Sequence, residues 1–201
     1  MTSSQGLRSS LTREEAAPIF AAAIARLTPI IDCEVQWPTM RLRVRTFIGD
    51  HPWPDVLASS ARAVVFRRRS VVVVREQEGP PHINPGGRRE PGETLEQTVR
   101  REVLEECGWH VGPLTPIGFH HLQPLGKPPP GHAYPWTDFI HPLHIAEGVR
   151  FERGARDLSQ IEVGSSLVPI ARALLELPAM EVALLRAAIA IRRASPAGAS
   201  R

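Results

Sequence analysis

Three glutamates, Glu102, Glu105 and Glu106, stand at i, i+3 and i+4 in the stretch Thr94 to Cys107. At 3.6 residues per turn this spacing puts their carboxylates on one helix face. Like charges so placed destabilise an isolated helix by about 0.2–0.5 kcal/mol per pair. A hard divalent cation that prefers oxygen, Mg²⁺ or Mn²⁺, would turn the repulsion into coordination. Leu95, Val99 and Val103 recur at i, i+4 and i+8 on the other side, an apolar stripe that can hold the acidic face in place. A charged helix face alone is ordinarily a solvated surface, and the neighbouring residues set this one apart. Gly86 and Gly87 precede the helix, in an Asn84-Pro85-Gly86-Gly87 stretch that reads as a tight turn. A backbone without Cβ can turn sharply there and come close to a metal or phosphate. Arg88 and Arg89 follow as candidates for phosphate oxygens, with solvated surface arginine as the alternative.

From Gly87, five residues lead to Glu93, and seven more to Arg101-Glu102-Val103. One residue then precedes Glu105-Glu106, and one more precedes Gly108 and the apolar Trp109. The string resembles the Nudix box, G-x5-E-x7-R-E-U-x-E-E-x-G-U with U apolar, at every defined position. With each residue type used about 7% of the time, seven fixed positions coincide by chance about once in 10⁸ windows. Pro85-Gly86 and Pro91-Gly92 also resemble usual members, while Trp109 is bulkier than the aliphatic residue common at its position. The resemblance to Nudix hydrolases covers Gly86 to Trp109 closely and Ala61 to Leu177 loosely.

That resemblance implies an α/β fold, a Nudix-type α/β/α sandwich around a mixed β-sheet, with an extra N-terminal helix and strand. It implies Glu102, Glu105 and Glu106 as ligands of Mg²⁺ or Mn²⁺, with Glu105 or Glu106 also orienting or deprotonating the attacking water. Arg101 and Glu93 are implied as a pair that locks the loop against the helix. The implied reaction is hydrolysis of a phosphoanhydride in a nucleoside diphosphate linked to another group. The substrate would be a small nucleotide-type diphosphate, either a nucleotide sugar such as ADP-ribose or a nucleoside triphosphate. A nucleotide-sensing module that binds without turnover is the alternative. The intact glutamates and the lack of a recognition-helix pattern in the C-terminal helices speak against it.

Other chemistry-bearing residues carry less. Tyr134 and Trp136 are aromatic candidates for stacking on a base, with loop anchoring as the equal alternative. A further acid often completes the metal site in this family, and Asp157 is preferred over Glu147 and Glu162. His120, His121, His132, His141 and His144 fit no zinc spacing. Pro124 lies fifteen residues past Trp109, as a proline does in relatives that cleave ADP-ribose, but this segment is so rich in proline that the match selects no substrate.

The elements that must position these groups can be read from pattern. Thr12-Arg13-Glu14-Glu15 is a capping box opening a helix to about Leu27. Met40 to Ile48 alternates, with Arg41, Arg43 and Arg45 on a wet face. Val64 to Phe66 and Val71 to Val74 form a hairpin around Arg67-Arg68-Arg69-Ser70. Strands are expected at Trp109 to Val111, Ile117 to Leu122, Thr137 to Ile145 and Leu167 to Ile170, with a stiff loop over Pro124 to Pro135. Two helices split at Pro178 close the chain. The expected organisation is a tail at 1–10, an N-terminal extension at 11–60, the hydrolase domain with its C-terminal helices at 61–194, and a tail at 195–201.

Length and composition bound the rest. A chain of 201 residues suits one domain, and 42% hydrophobic with 22% charged residues excludes wholesale disorder and a coiled coil. No apolar run approaches membrane-spanning length, Cys33 and Cys107 lack a CxxC partner, and no secretory leader is evident, so the cytoplasm is the expected location. All but one of the 24 basic residues are arginine, yet a net charge of +3 marks neither nucleic acid nor a membrane as partner. A homodimer stays open, with residues 11–60 available for it.

Overall fold

Thr12 opens the first helix by accepting from the Glu15 amide, while the Glu15 carboxylate accepts from the Thr12 amide at 2.8 Å. In this computed structural model, which describes residues 11–37, 40–76, 79–132, 136–156 and 162–194, the elements follow in chain order. They are α1 (Arg13–Ile24), β1 (Ile31–Gln36), β2 (Arg41–Ile48), β3 (Ser60–Arg67), β4 (Ser70–Glu76) and β5 (Gly86–Arg88). Then come α2 (Leu95–Cys107), β6 (Trp109–Val111), β7 (Thr115–Leu125), β8 (Phe139–Phe151), β9 (Glu162–Pro169), α3 (Ile170–Glu176) and α4 (Ala179–Ala194). The chain forms two compact units. One holds the residues up to Ser59 together with Phe119–His141, and the other holds Ser60–Gly118 and the residues from Pro142 onward.

In the first unit β1, absent from the expected elements although Ile31, Cys33 and Val35 alternate with Asp32, Glu34 and Gln36, pairs antiparallel with β2. Its acids explain the arginine face of β2. Arg43 grips Asp32 at 2.7 Å and Arg41 pairs with Glu34, so this face is ion-paired as well as wet. Arg45 leaves the series and donates to Nδ1 of His121, a fully buried ring whose Nε2 lies 2.9 Å from Asp138. The alternation also fails at Thr46 and Phe47, which are both buried. Phe119 is the centre of an aromatic cluster, with ring centroids of Phe20 and Phe47 at 5.4 Å and Trp53 at 5.8 Å. The expected proline loop begins late, because Pro124 belongs to the end of β7, where a missing N–H costs little pairing.

In the second unit β3 and β4 form the expected hairpin, turning at Arg68 and Arg69, and β4 continues antiparallel to β9. Residues 62–66 of β3 pair parallel with residues 143–147 of β8, which makes the sheet mixed. Side chains alternate faces along a strand, so Ala61, Ala63 and Val65 point one way and Val64 and Phe66 the other. The first set packs with Val99, Val103 and Cys107 of α2, whose apolar stripe is buried as its spacing implied. Arg192 of α4 lies 4.6 Å from the Phe66 ring centroid, on the opposite face. Helices therefore cover both faces of the mixed sheet, as an α/β/α sandwich requires. Among the described residues, no helix is long and apolar enough to cross a membrane.

Phe119→Ala removes the common partner of the aromatic cluster, and the expected loss of stability is about 3–5 kcal/mol. Urea unfolding followed by tryptophan fluorescence checks this, and a loss below about 1 kcal/mol would contradict the central packing of this ring.

Candidate active site

Helix α2 begins at Thr94, which accepts from the Gln97 amide while the Gln97 side chain returns to the Thr94 amide. It ends at Gly108, whose φ of +72° is the left-handed conformation that suits glycine and whose N–H donates to Leu104. The caps fix the register of the acids between them. Glu102 and Glu106 are 7% and 5% exposed, and Glu105 is more open.

Arg101 organises this cluster. Its Nε and one terminal nitrogen donate to the two oxygens of Glu93 at 2.7 and 3.0 Å, a bidentate clamp. The other terminal nitrogen donates to Glu102 at 2.9 Å and to Glu105 at 3.1 Å. A further bond at 3.0 Å reaches the Arg88 carbonyl, tying the helix to the strand after the glycines. Glu93 also accepts from the Thr98 hydroxyl at 2.9 Å and from the Glu90 amide at 2.9 Å. Bonds from Arg101 hold the Glu93 pKa down at about 2. Glu102 shares the same arginine, yet burial raises its pKa.

Gly86 and Gly87 lie in β5 rather than in a turn, paired with Arg62 and Ala61 of β3. The pairing is so close that only glycine fits. Gly86 has φ +147°, and a Cβ there would lie 2.2 Å from the Ala61 carbonyl oxygen. A Cβ on Gly87 would lie 2.4 Å from a Glu102 carboxylate oxygen. The Gly86 amide donates to Glu106 at 3.2 Å. The glycine backbone thus sits directly against two of the three helix carboxylates.

The donor set is all oxygen, with three carboxylates on one guanidinium and Glu106 beside them on the Gly86 amide, which suits a hard divalent cation. Among the described residues, no three carboxylate, imidazole or thiol groups already converge on one point. Glu102 and Glu105 are drawn to Arg101 and Glu106 to Gly86, so an ion would have to redirect them.

Comparison with known proteins gives the family. The NUDIX domain profile matches residues 56–164, more than half of the chain. The chain belongs to the Nudix family. A Bacillus subtilis (strain 168) protein provisionally named as an 8-oxo-dGTP diphosphatase is 33% identical over 57 residues, 28% of this chain and 38% of that protein. The match therefore spans well under half of that relative. Among solved structures, a Bacillus subtilis pyrophosphohydrolase shares the fold with a TM-score of 0.58 and 19% identity, covering 83% of this chain and 98% of that one. A NUDIX hydrolase from Nitrosomonas europaea gives a TM-score of 0.50 at 22% identity over 66% of this chain and 89% of its own.

Within this Nudix fold the box residues come together, and several other candidates do not. Arg89 donates to the Glu93 carbonyl at 2.7 Å and helps close the loop, while Arg88 is exposed beside it. Trp136 donates to the Gly126 carbonyl at 3.0 Å and meets the His132 ring edge-on, so it anchors its own loop. Tyr134 and Asp157 lie outside the described residues, as does the side chain of Glu162. Glu147 is bonded to Arg192 at 2.6 Å instead of joining α2. Sequence reading missed Thr98 and also Glu181, whose carboxylate accepts from the Ile83 amide at 2.9 Å just before the glycines. The Thr98 contact had a local signal, one turn after the cap, but Glu181 is far off in sequence and had none.

Gly86→Ala is expected to cost about 1–3 kcal/mol of stability through backbone strain and clash. Gly87→Ala meets only a movable side chain, so it should lower turnover about tenfold while shifting the unfolding temperature less. Thermal melts and rates on the two variants check this contrast. Glu93 makes stability fall with acid. Its contribution is complete above the ordinary glutamate pKa of 4.5 and is lost as pH falls towards about 2. Glu93→Gln should flatten that stretch of the stability curve, read by urea unfolding at stepped pH.

Proposed function

We propose that this Nudix protein is a divalent-metal-dependent pyrophosphohydrolase. Its substrate is a nucleoside diphosphate linked to another moiety, either a nucleoside triphosphate or a nucleotide sugar such as ADP-ribose. The observation that carries the reading is that Arg101 holds Glu102 and Glu105 while the Gly86-Gly87 backbone lies against Glu102 and Glu106. The pyrophosphohydrolase of shared fold and the relative named for a nucleoside triphosphate support the reaction class.

Glu102, Glu105 and Glu106 would hold Mg²⁺ or Mn²⁺. When bound, such an ion supplies positive charge to the diphosphate and lowers the pKa of a water. The chain's own residues do the rest. Glu105 or Glu106 takes the proton of the attacking water, which adds to phosphorus as the bridging oxygen leaves on the far side. Glu106 is anchored by Gly86, whereas the more open Glu105 is held, among the described residues, by Arg101. Arg101 and Glu93 position the carboxylates without touching substrate, and Arg88 and Arg89 stand nearest the glycines to receive phosphate oxygens.

The test is release of phosphate, with a coupled phosphatase, from nucleoside triphosphates, ADP-ribose, NADH, coenzyme A and dinucleoside polyphosphates. Turnover of one class is expected with Mg²⁺ or Mn²⁺ and none with chelator. Glu106→Gln should lower that turnover by at least about 100-fold with the unfolding temperature unchanged. Near-native turnover in this variant would remove the metal assignment from α2. Ligand-induced thermal stabilisation without turnover of any substrate would point to a sensor.

A further inference from the structure

The hairpin tip between β3 and β4 carries a feature that the hydrolase reading does not use. Arg67, Arg68 and Arg69 border a cleft of about 1520 Å³, and Arg192 and Arg193 from the last turn of α4 face it. Among the described lining residues Glu147 is the single acid, and Arg192 already neutralises it at 2.6 Å. The surplus is strongly positive. Arg68, Arg69 and Arg193 are exposed, and their guanidinium groups have no ion pair among the described residues.

The cleft is built rather than merely charged. Arg192 is held by the Phe66 ring at 4.6 Å, by Glu147 and by the Arg68 carbonyl at 3.0 Å. Arg67 donates to the Gly148 carbonyl at 3.0 Å. Trp109 lies in the wall, packed so closely on Gly148 that a Cβ there would come within 2.8 Å of its ring. Phe151 supports the same ring at a centroid distance of 5.3 Å, and Leu167, Ile170 and Ile189 add apolar surface. Among the described non-glycine residues only Arg68 has positive φ, at +53°. Glycine or asparagine would adopt that conformation at less cost, so keeping an arginine there suits a role for its side chain.

We propose that this cleft binds a nucleoside polyphosphate at a second site, sharing no residue with the α2 site. Guanidinium forks match phosphate oxygens, which places the phosphates on Arg68, Arg69 and Arg193. The planar base rests on the apolar wall beside Trp109. The proposal does not depend on the hydrolase reading, because an arginine cleft needs no metal to bind anions.

The experiment is calorimetric titration with ATP in EDTA, which removes any metal-dependent binding at α2. Metal-free binding is expected, weakened at least about tenfold by Arg68→Glu with Arg69→Glu and unchanged by Glu106→Gln. Inorganic tripolyphosphate should bind several-fold more weakly than ATP because it lacks the base. Arg68→Gly guards against misfolding, since glycine relieves the backbone. It should hold or raise the unfolding temperature and still weaken ATP. The proposal fails if ATP does not bind without metal, if the cleft variants bind as the native protein does, if Glu106→Gln is the variant that loses binding, or if tripolyphosphate binds as well as ATP.

Discussion

One guanidinium carries the geometry on which the candidate site depends. Arg101 meets Glu93 through two bonds, Glu102 and Glu105 through one each, and the Arg88 carbonyl through another. A planar fork can make these contacts at once, whereas an ammonium has neither the reach nor the fixed angles. The same cation leaves its neighbours in different states. Glu93 receives two bonds and has its pKa lowered, while burial outweighs a single bond at Glu102 and raises it. An acidic cluster with too little positive charge suits a divalent cation, which would have to draw Glu102 and Glu105 from Arg101 and Glu106 from Gly86.

The scaffold works by close approach of backbone. β5 lies against β3 because Gly86 lacks a Cβ atom, and its amide reaches Glu106, while the missing Cβ of Gly87 leaves room for Glu102. Across the sheet, α2 covers the Ala61, Ala63 and Val65 face, and Arg192 of α4 covers Phe66. One strand thus has its two sets of side chains committed to different helices. The acidic cluster lies at the β5 end of β3, and the arginine cleft at its hairpin end.

Local codes were the legible part of the chain. Thr12 with Glu15 and Thr94 at the head of α2 mark helix starts because the capping partners lie within one turn. Gly108 marks a helix end for the same local reason. Long-range pairing was not legible. β1 does alternate, Ile31, Cys33 and Val35 with Asp32, Glu34 and Gln36, but the partner of its acids is not local, and they acquire meaning only opposite Arg41 and Arg43. Asn84-Pro85-Gly86-Gly87 has the composition of a turn, yet its glycines serve strand pairing, because the strand they meet is more than twenty residues upstream. Pro124 was read from the composition of its segment and lies instead in β7.

The amino-acid sequence by itself determined the family, the helix that carries the three glutamates, and the presence of glycines close before it. These follow from residue type and spacing within about twenty positions, where helix period and backbone freedom act alone. The tertiary structure decided which contacts those residues make: that Arg101 serves Glu93 first, that Glu181 holds the Ile83 amide, and that Glu147 answers Arg192 instead of α2. It also gathered Arg67, Arg68 and Arg69 with Arg192 and Arg193 around one cleft. Such partnerships join residues distant along the chain, and only the packing of helices on both faces of the sheet brings them within bonding distance.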